Sequence, residues 1–297
     1  MKVALTGATG FVGSHVLTEL QGHGHSVTAF ARDASQADIL VDRGATPTVL
    51  DLHDRAAVVG ILRDADAAIH TASPGDATSA DLDSAVVDAA IEAFAGTGKP
   101  YLQISGLWIY GNNRSISEES PIDAPPMVAW KEPIERRVLA APDMRGVVIV
   151  SSGVYGDGGG GLPGLLLGSP RDDAGNLIML GTGQQHWPMV HVADLANFFR
   201  LVLEQDSARG RYVISNGQAP TVAELTEAAA VAAGAPGAVP GSDDEAKTRL
   251  GEYFAEVLLL DQGTVAAKAR AELGWAPSHP GLPDEFREGS YRKVTTG

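Results

Sequence analysis

Short runs of β-branched and aliphatic residues alternate with longer, Ala-rich segments through the first half of the chain. Runs at about Lys2 to Leu5, Ser26 to Phe30, Thr46 to Leu50, Ala67 to His70, Tyr101 to Ser105 and Gly146 to Ser151 have the length of strands. Between them, segments near Ser14 to Gln21, Ala34 to Asp42, Arg55 to Arg63, Ala80 to Ala95 and Val128 to Ala140 are long enough for helices. Gly22, Gly44 and Gly96 fall just past helix ends, where a left-handed residue is commonly wanted. Strands alternating with helices over short connections predict an α/β fold built on a doubly wound parallel sheet.

After Ser151 the alternation stops, and Gly158-Gly159-Gly160-Gly161 opens a stretch of loops, isolated strands and shorter helices. We therefore expect a Rossmann domain over residues 1–155 and a smaller C-terminal α/β substrate lobe over 156–297. Segments near 190–216 are expected to return to the main sheet, as a helix at Val192 to Leu203 and a strand at Arg211 to Ser215. Thr221 to Ala233 and Asp244 to Leu260 are helical candidates for a cap over the carboxyl ends of the strands.

Composition narrows the function. With 22 Lys+Arg against 37 Asp+Glu, the net charge of -15 opposes approach to nucleic acid or to anionic lipid. The chain has no cysteine, which excludes disulfides, a thiolate nucleophile and thiolate metal sites. No segment approaches the roughly 18 apolar residues of a membrane span, and the start lacks a signal-peptide pattern. These features predict a cytoplasmic protein acting on a small-molecule substrate, with neither nucleic acid nor membrane as partner.

The most specific signal is Thr6-Gly7-Ala8-Thr9-Gly10-Phe11-Val12-Gly13, placed after a strand and before a helix. Glycine permits the tight turn and lets the backbone approach a pyrophosphate, while the following helix aims free N–H groups and its positive dipole end at the anion. With strand, spacing and helix together, this turn resembles that of the extended or atypical short-chain dehydrogenase/reductase superfamily, which includes sugar-nucleotide epimerases, dehydratases and dihydroflavonol-type reductases. Val49-Leu50-Asp51-Leu52 and His70-Thr71-Ala72-Ser73 resemble the family's adenine contact and the turn that passes the cofactor. Ile109-Tyr110-Gly111, Gly153-Val154-Tyr155-Gly156 and Trp187 to Ala196 resemble later landmarks of the extended branch. The resemblance implies a cofactor site at Gly7, Thr9, Gly10, Phe11, Val12, Gly13, Arg32, Asp51, Leu52, Thr71, Ala72 and Ser73. In Phe30-Ala31-Arg32-Asp33, Arg32 favours the 2′-phosphate of NADP(H) over NAD(H), although a solvated Arg32 beside an N-capping Asp33 is the plain alternative.

The resemblance also implies a Tyr four residues before a Lys, with a Ser or Thr nearby. Lys131 fits the Lys and is expected to hold a nicotinamide ribose hydroxyl, but four residues earlier stands Met127, a thioether that delivers no proton. Four before Tyr110 is Gly106, with Ser105 adjacent. The candidate catalytic residues are thus Lys131, Ser105, Tyr110 and Tyr155, and the candidate substrate residues are Trp108, Met127, Trp130, His186 and Trp187. No metal site is expected from His23 and His25 or from His191 and Asp194. Losing one acid/base group need not abolish hydride transfer, because general acid–base catalysis contributes about 10²- to 10⁴-fold. The reading is an NADPH-dependent reductase acting on a carbonyl or conjugated group without the usual Tyr. The alternatives are a redox-neutral epimerase or dehydratase and a non-catalytic NADP(H)-binding sensor. The resemblance also implies a homodimer through paired helices, for which Ala85 to Phe94 and Val128 to Leu139 are candidates, although their apolar positions fit burial against the sheet equally well.

Overall fold

A computed structural model describes residues 1–292; residues 293–297 of the expected second lobe lie outside the described residues. The chain runs β1 (Lys2–Thr6), α1 (Phe11–Gly22), β2 (Ser26–Ala31), α2 (Ala34–Asp42), β3 (Thr46–Val49), α3 (Arg55–Asp64), β4 (Ala67–His70), α4 (Ser79–Phe94) and β5 (Pro100–Gly106). It continues through a 3₁₀ turn (Leu107–Tyr110), α5 (Lys131–Ala140), β6 (Arg145–Ser151), β7 (Gly153–Tyr155), α6 (Gly161–Leu167), β8 (Leu177–Ile178), β9 (Met189–His191), α7 (Val192–Glu204) and β10 (Gly210–Ile214). The last elements are α8 (Val222–Ala233), β11 (Ala238–Val239), α9 (Asp243–Leu250), α10 (Glu252–Leu258), α11 (Ala267–Leu273) and α12 (Leu282–Glu288).

Seven strands form one parallel sheet in the order β10-β6-β5-β4-β1-β2-β3. Alternate residues of the sheet's inner strands feed two cores. Val3, Leu5, Val147 and Ile149 pack with Val16 and Leu20 of α1 and Phe198, Phe199 and Val202 of α7. Ala4, Val148 and Val150 pack on the other face with Val58 and Leu62 of α3, Val86 and Ala90 of α4, and Ile134 and Val138 of α5. Burial on both faces explains why these strands read as continuous apolar runs. The chain winds outward from β1 to β3 and then returns to β4 on the opposite side of β1, which opens a crevice between β1 and β4 at their carboxyl ends.

The segments after Ser151 contribute both to the main sheet and to a separate core. β10 pairs with β6 in the main sheet, and α7 packs against α1. Buried Arg145 donates to the carbonyls of Val202, Leu203 and Gln205, satisfying orphan acceptors where α7 ends. A third core gathers Tyr155, Leu177, Trp187, Leu225, Leu258 and Phe286. Its α8 and α9 each begin with a reciprocal capping box, Thr221 with Glu224 and Ser242 with Glu245.

Three boundaries differ from expectation. The proposed helix from Val128 starts only at Lys131, because the preceding residues form successive tight turns, with Val128 N–H donating to Pro125 O and Lys131 N–H to Val128 O. The proposed helix Asp244 to Leu260 is two helices, parted at Gly251 with φ +82°. Gly22 completes α1, and the left-handed residue is Gly24 with φ +79°, whereas Gly44 and Gly96 do carry positive φ after their helices.

Candidate active site

The Gly-rich turn is held by close backbone contacts. A Cβ on Gly13 would stand 2.1 Å from Gly7 O, and one on Gly7, whose φ is +73°, would stand 2.6 Å from the backbone N of Ala72. The third glycine of the motif therefore lets α1 rest on the turn, and the first lets the turn rest on the segment after β4. No side chain caps α1 and no acidic residue occupies its first turn. By contrast, α2 and α3 are capped by Asp33 and Asp54. The N–H groups at the start of α1 are thus available to an anion.

Beneath the turn lies a buried polar chain that joins β1 to β4. Thr6 Oγ1 accepts from the N–H groups of Thr71 (3.2 Å) and Ala72 (3.3 Å) and lies 2.6 Å from His70 Nδ1. Its single hydrogen therefore points to Nδ1, which places the ring proton on Nε2, 3.1 Å from Asp83 Oδ1. Gln103 Nε2 donates to the other oxygen of Asp83, and Thr71 Oγ1 donates to Thr6 O. Each buried polar group here has a partner, so the turn after β4 is fixed from below.

Two cavities open along the carboxyl ends of the strands. The first, of about 890 Å³, is a groove lined by Gly7, Thr9, Gly10, Phe11, Val12, Gly13, Arg32, Asp51, Leu52, Thr71, Ala72 and Ser73, all named from the sequence. It also takes in Gln36, His53, Pro74 and Ile104, which the sequence reading missed. Gln36 was within reach of it, since a residue one turn past the N-cap Asp33 faces back toward Arg32; its Oε1 accepts from Arg32 N–H. Asp33 does cap α2, accepting from Gln36 N–H, and its carboxyl is held below the usual range first by the Ser35 hydroxyl. Arg32 is exposed and makes no ion pair among the described residues.

The second cavity, about 600 Å³, shares Phe11 and Ile104 with the groove. Trp108, Trp187 and Ser105 lie on its wall, together with Ser151, Ser152, Phe254 and Gln262, which the sequence reading did not name. Ser151 and Ser152 carried a signal, because ligands gather at the carboxyl ends of strands; Phe254 carried none.

The other candidates sit off this wall. Tyr110 is buried in the core, its hydroxyl has no partner among the described residues, and burial pushes its pKa up to about 12. Tyr155 is also fully buried; its hydroxyl donates to Pro280 O at 2.7 Å, and burial raises its pKa strongly. Ser105 reaches the wall, but its hydroxyl donates to Glu135 Oε1 at 2.5 Å, and Glu135 is paired with Arg211 Nε. Lys131 opens α5 with its ammonium 4.2 Å from the Trp130 ring; burial lowers its pKa, opposed by Asp83 and Glu135. Met127 is 40% exposed, and its carbonyl accepts from Trp130 Nε1. His186 Nδ1 lies 2.8 Å from Asp261 Oδ1 in a contact that Arg114 joins. Among the described residues no group of three or more His, Asp or Glu is placed to hold a metal, and no helix is long and apolar enough to cross a membrane.

The chain is similar to known proteins over nearly its whole length. An uncharacterised protein of Saccharomyces cerevisiae is 30% identical over 97% of this chain and 98% of its own. A Streptomyces protein named 3-diazoavenalumate denitrifying reductase is 26% identical over 96% of this chain and 98% of its own. The structure of human epimerase family protein SDR39U1 (isoform 2) with NADPH superimposes with a TM-score of 0.76 at 22% identity, covering 98% of this chain and 99% of that one. Residues 3–215 match the model of the NAD dependent epimerase/dehydratase family. With that match over most of the chain, on a parallel sheet whose glycine turn opens into a nucleotide-sized groove, the protein belongs to the NAD-dependent epimerase/dehydratase family.

Proposed function

We propose that the protein is an NADPH-dependent reductase of a carbonyl or conjugated group on a small organic substrate. The observation that carries this reading is the shared wall of the two cavities at Phe11 and Ile104. It leads from a groove fit for a dinucleotide directly into a separate enclosure. The residues fit the cofactor: the uncapped start of α1 suits a pyrophosphate, and an unpaired Arg32 suits a 2′-phosphate. Asp51 and Leu52 lie on the groove wall where the adenine contact is expected, and Thr71 to Ser73 line the same groove, whereas Lys131 lines neither cavity and stands against the Trp130 ring. The NADPH present in the human relative's structure supports the same choice of cofactor, and the name of the Streptomyces relative supports a reductase.

When bound, the dihydronicotinamide supplies a hydride. The chain itself orients: the turn, the polar chain under Thr6 and the aromatic walls hold the two reactants in fixed relation, which is the largest contribution available where no tyrosine delivers a proton. Fluorescence titration with NADPH and with NADH, followed by a panel of carbonyl compounds, tests the reading. Preferred NADPH binding and substrate-dependent loss of reduced cofactor would support it. NADPH binding with no turnover on any acceptor would favour the sensor alternative, and no binding of either nucleotide would overturn the reading.

A further inference from the structure

The residues that follow β2 form one side of the groove, and they do not all face it. Arg32 and Gln36 lie on the groove wall, whereas Asp33, Ala34 and Ser35 between them do not. Asp33 is turned toward α2: its Oδ1 accepts from Ser35 Oγ–H at 2.7 Å and from Gln36 N–H at 2.9 Å. The acidic residue nearest the end of β2, which could accept from a ribose diol, is thus occupied as the cap of α2.

Gln36 is held by a different contact. Its side-chain amide meets the Arg32 backbone N–H at 3.1 Å. A backbone N–H only donates, so the atom facing it is the amide oxygen, and the orientation of the amide follows from that chemistry. Both hydrogens of Gln36 Nε2 remain, with no partner among the described residues. The same bond uses the Arg32 N–H. What this segment leaves for a ligand is therefore the Arg32 guanidinium and the Gln36 NH₂ group, and both are donors that accept nothing. A phosphate monoester brings three strong acceptor oxygens to such a pair. A free 2′-hydroxyl brings a hydrogen for which the pair has no acceptor.

We propose that Gln36 is a specificity-determining residue for the cofactor: its Nε2 donates to the 2′-phosphate of NADPH beside the Arg32 guanidinium. The inference deepens the choice of NADPH made above and rests on it. Glutamine carries no charge, so its contribution is a donor already held in one orientation by the Arg32 N–H rather than an attraction at a distance.

The test is equilibrium binding to the full chain, by fluorescence for NADPH and NADH and by calorimetry for adenosine 2′,5′-bisphosphate and 5′-AMP, which differ only in the 2′-phosphate. Gln36→Ala removes donor and acceptor together. Gln36→Glu keeps an oxygen for the Arg32 N–H and replaces the donor by a carboxylate, so a role confined to bracing the Arg32 segment survives in it. Gln36→Ala is expected to weaken NADPH about fivefold and leave NADH unchanged. Gln36→Glu is expected to weaken NADPH by about thirtyfold or more and to hold or raise NADH affinity, because a carboxylate accepts from the diol. The bisphosphate should follow NADPH and 5′-AMP should follow NADH, whose binding also serves as the folding control in each variant. An unchanged ratio of NADPH to NADH affinity in both variants, or equal losses for both nucleotides, would overturn the proposal and leave the NADPH reading in place. A ratio that moves in Gln36→Glu alone would show charge acting at a distance and would overturn it as well. A parent chain that binds NADH as tightly as NADPH would sink the choice of cofactor and this inference with it.

Discussion

The groove and the cavity share two residues and little else. In the groove the recognition elements are left unspent: the first turn of α1 has no cap, and Arg32 has no ion pair among the described residues. In the cavity several are spent, with the Ser105, Ser151, Gln262 and Trp187 donors committed to the protein itself. A site for a charged, extended ligand keeps its dipoles and cations free, whereas donors committed to the protein leave more of the recognition to shape and apolar contact.

Variants at the two sites should therefore fail in different ways. The largest effect is expected at Trp187, which is 5% exposed and bonded through Nε1 to Leu258 O. Trp187→Ala should cost about 3–5 kcal/mol of folding stability, seen as an early unfolding transition in denaturant. Next, Gly13→Ala places a methyl group 2.1 Å from Gly7 O, within the turn itself. NADPH affinity should fall roughly hundredfold or more as the turn is forced open. A Gly13→Ala protein that binds NADPH normally would show that the turn is not the phosphate site.

Arg32→Ala should weaken NADPH by about tenfold and leave NADH nearly unchanged; equal losses for both would assign Arg32 to something other than the 2′-phosphate. A smaller effect is expected from pH. Burial, and then the neighbouring His279, hold His191 below its ordinary 6.5. The rings of His191 and His279 are stacked at 4.1 Å, with Asp194 and Asp157 nearby. Because its folded pKa is depressed, the unfolded chain takes up the proton first, so this stability is present above about pH 6.5 and declines as pH falls below it. The melting temperature should drop between pH 7.5 and 5.5, and His191→Asn, which retains an N-cap for α7, should flatten that slope. The smallest effect is at Met127, which is solvent-exposed and off the cavity wall. Met127→Tyr should leave turnover within about twofold of the parent, since a hydroxyl there does not meet the cavity; a large gain would place the acid position at residue 127.

The groove was legible because its parts are local. Gly7 to Gly13 form one strand, turn and helix, and Asp51 and Thr71 to Ser73 each follow a strand, so these could be read from position at a strand end, whereas Gln36, His53, Pro74 and Ile104 were missed. The cavity draws on β5, β6, the turn before β9 and α10, and no spacing in the chain relates Phe254 to Ser152. Trp108 and Trp187 were legible as large aromatics near strand ends, but Tyr110 and Tyr155 carried the same signal and were placed in cores, because residue type does not say which face is covered.

By itself the sequence determined the alternation of strand and helix, the order of the parallel sheet's builders and the glycine turn between β1 and α1, all of which follow from short-range periodicity and glycine stereochemistry. Tertiary structure decided the rest. It turned the Ser105 hydroxyl to Glu135, seated Tyr155 on Pro280 O and buried the Ser152 hydroxyl without a partner among the described residues. The free donors of a buried site depend on which distant acceptors fold within 3 Å or so of them, and that is a property of packing between segments that no local pattern encodes.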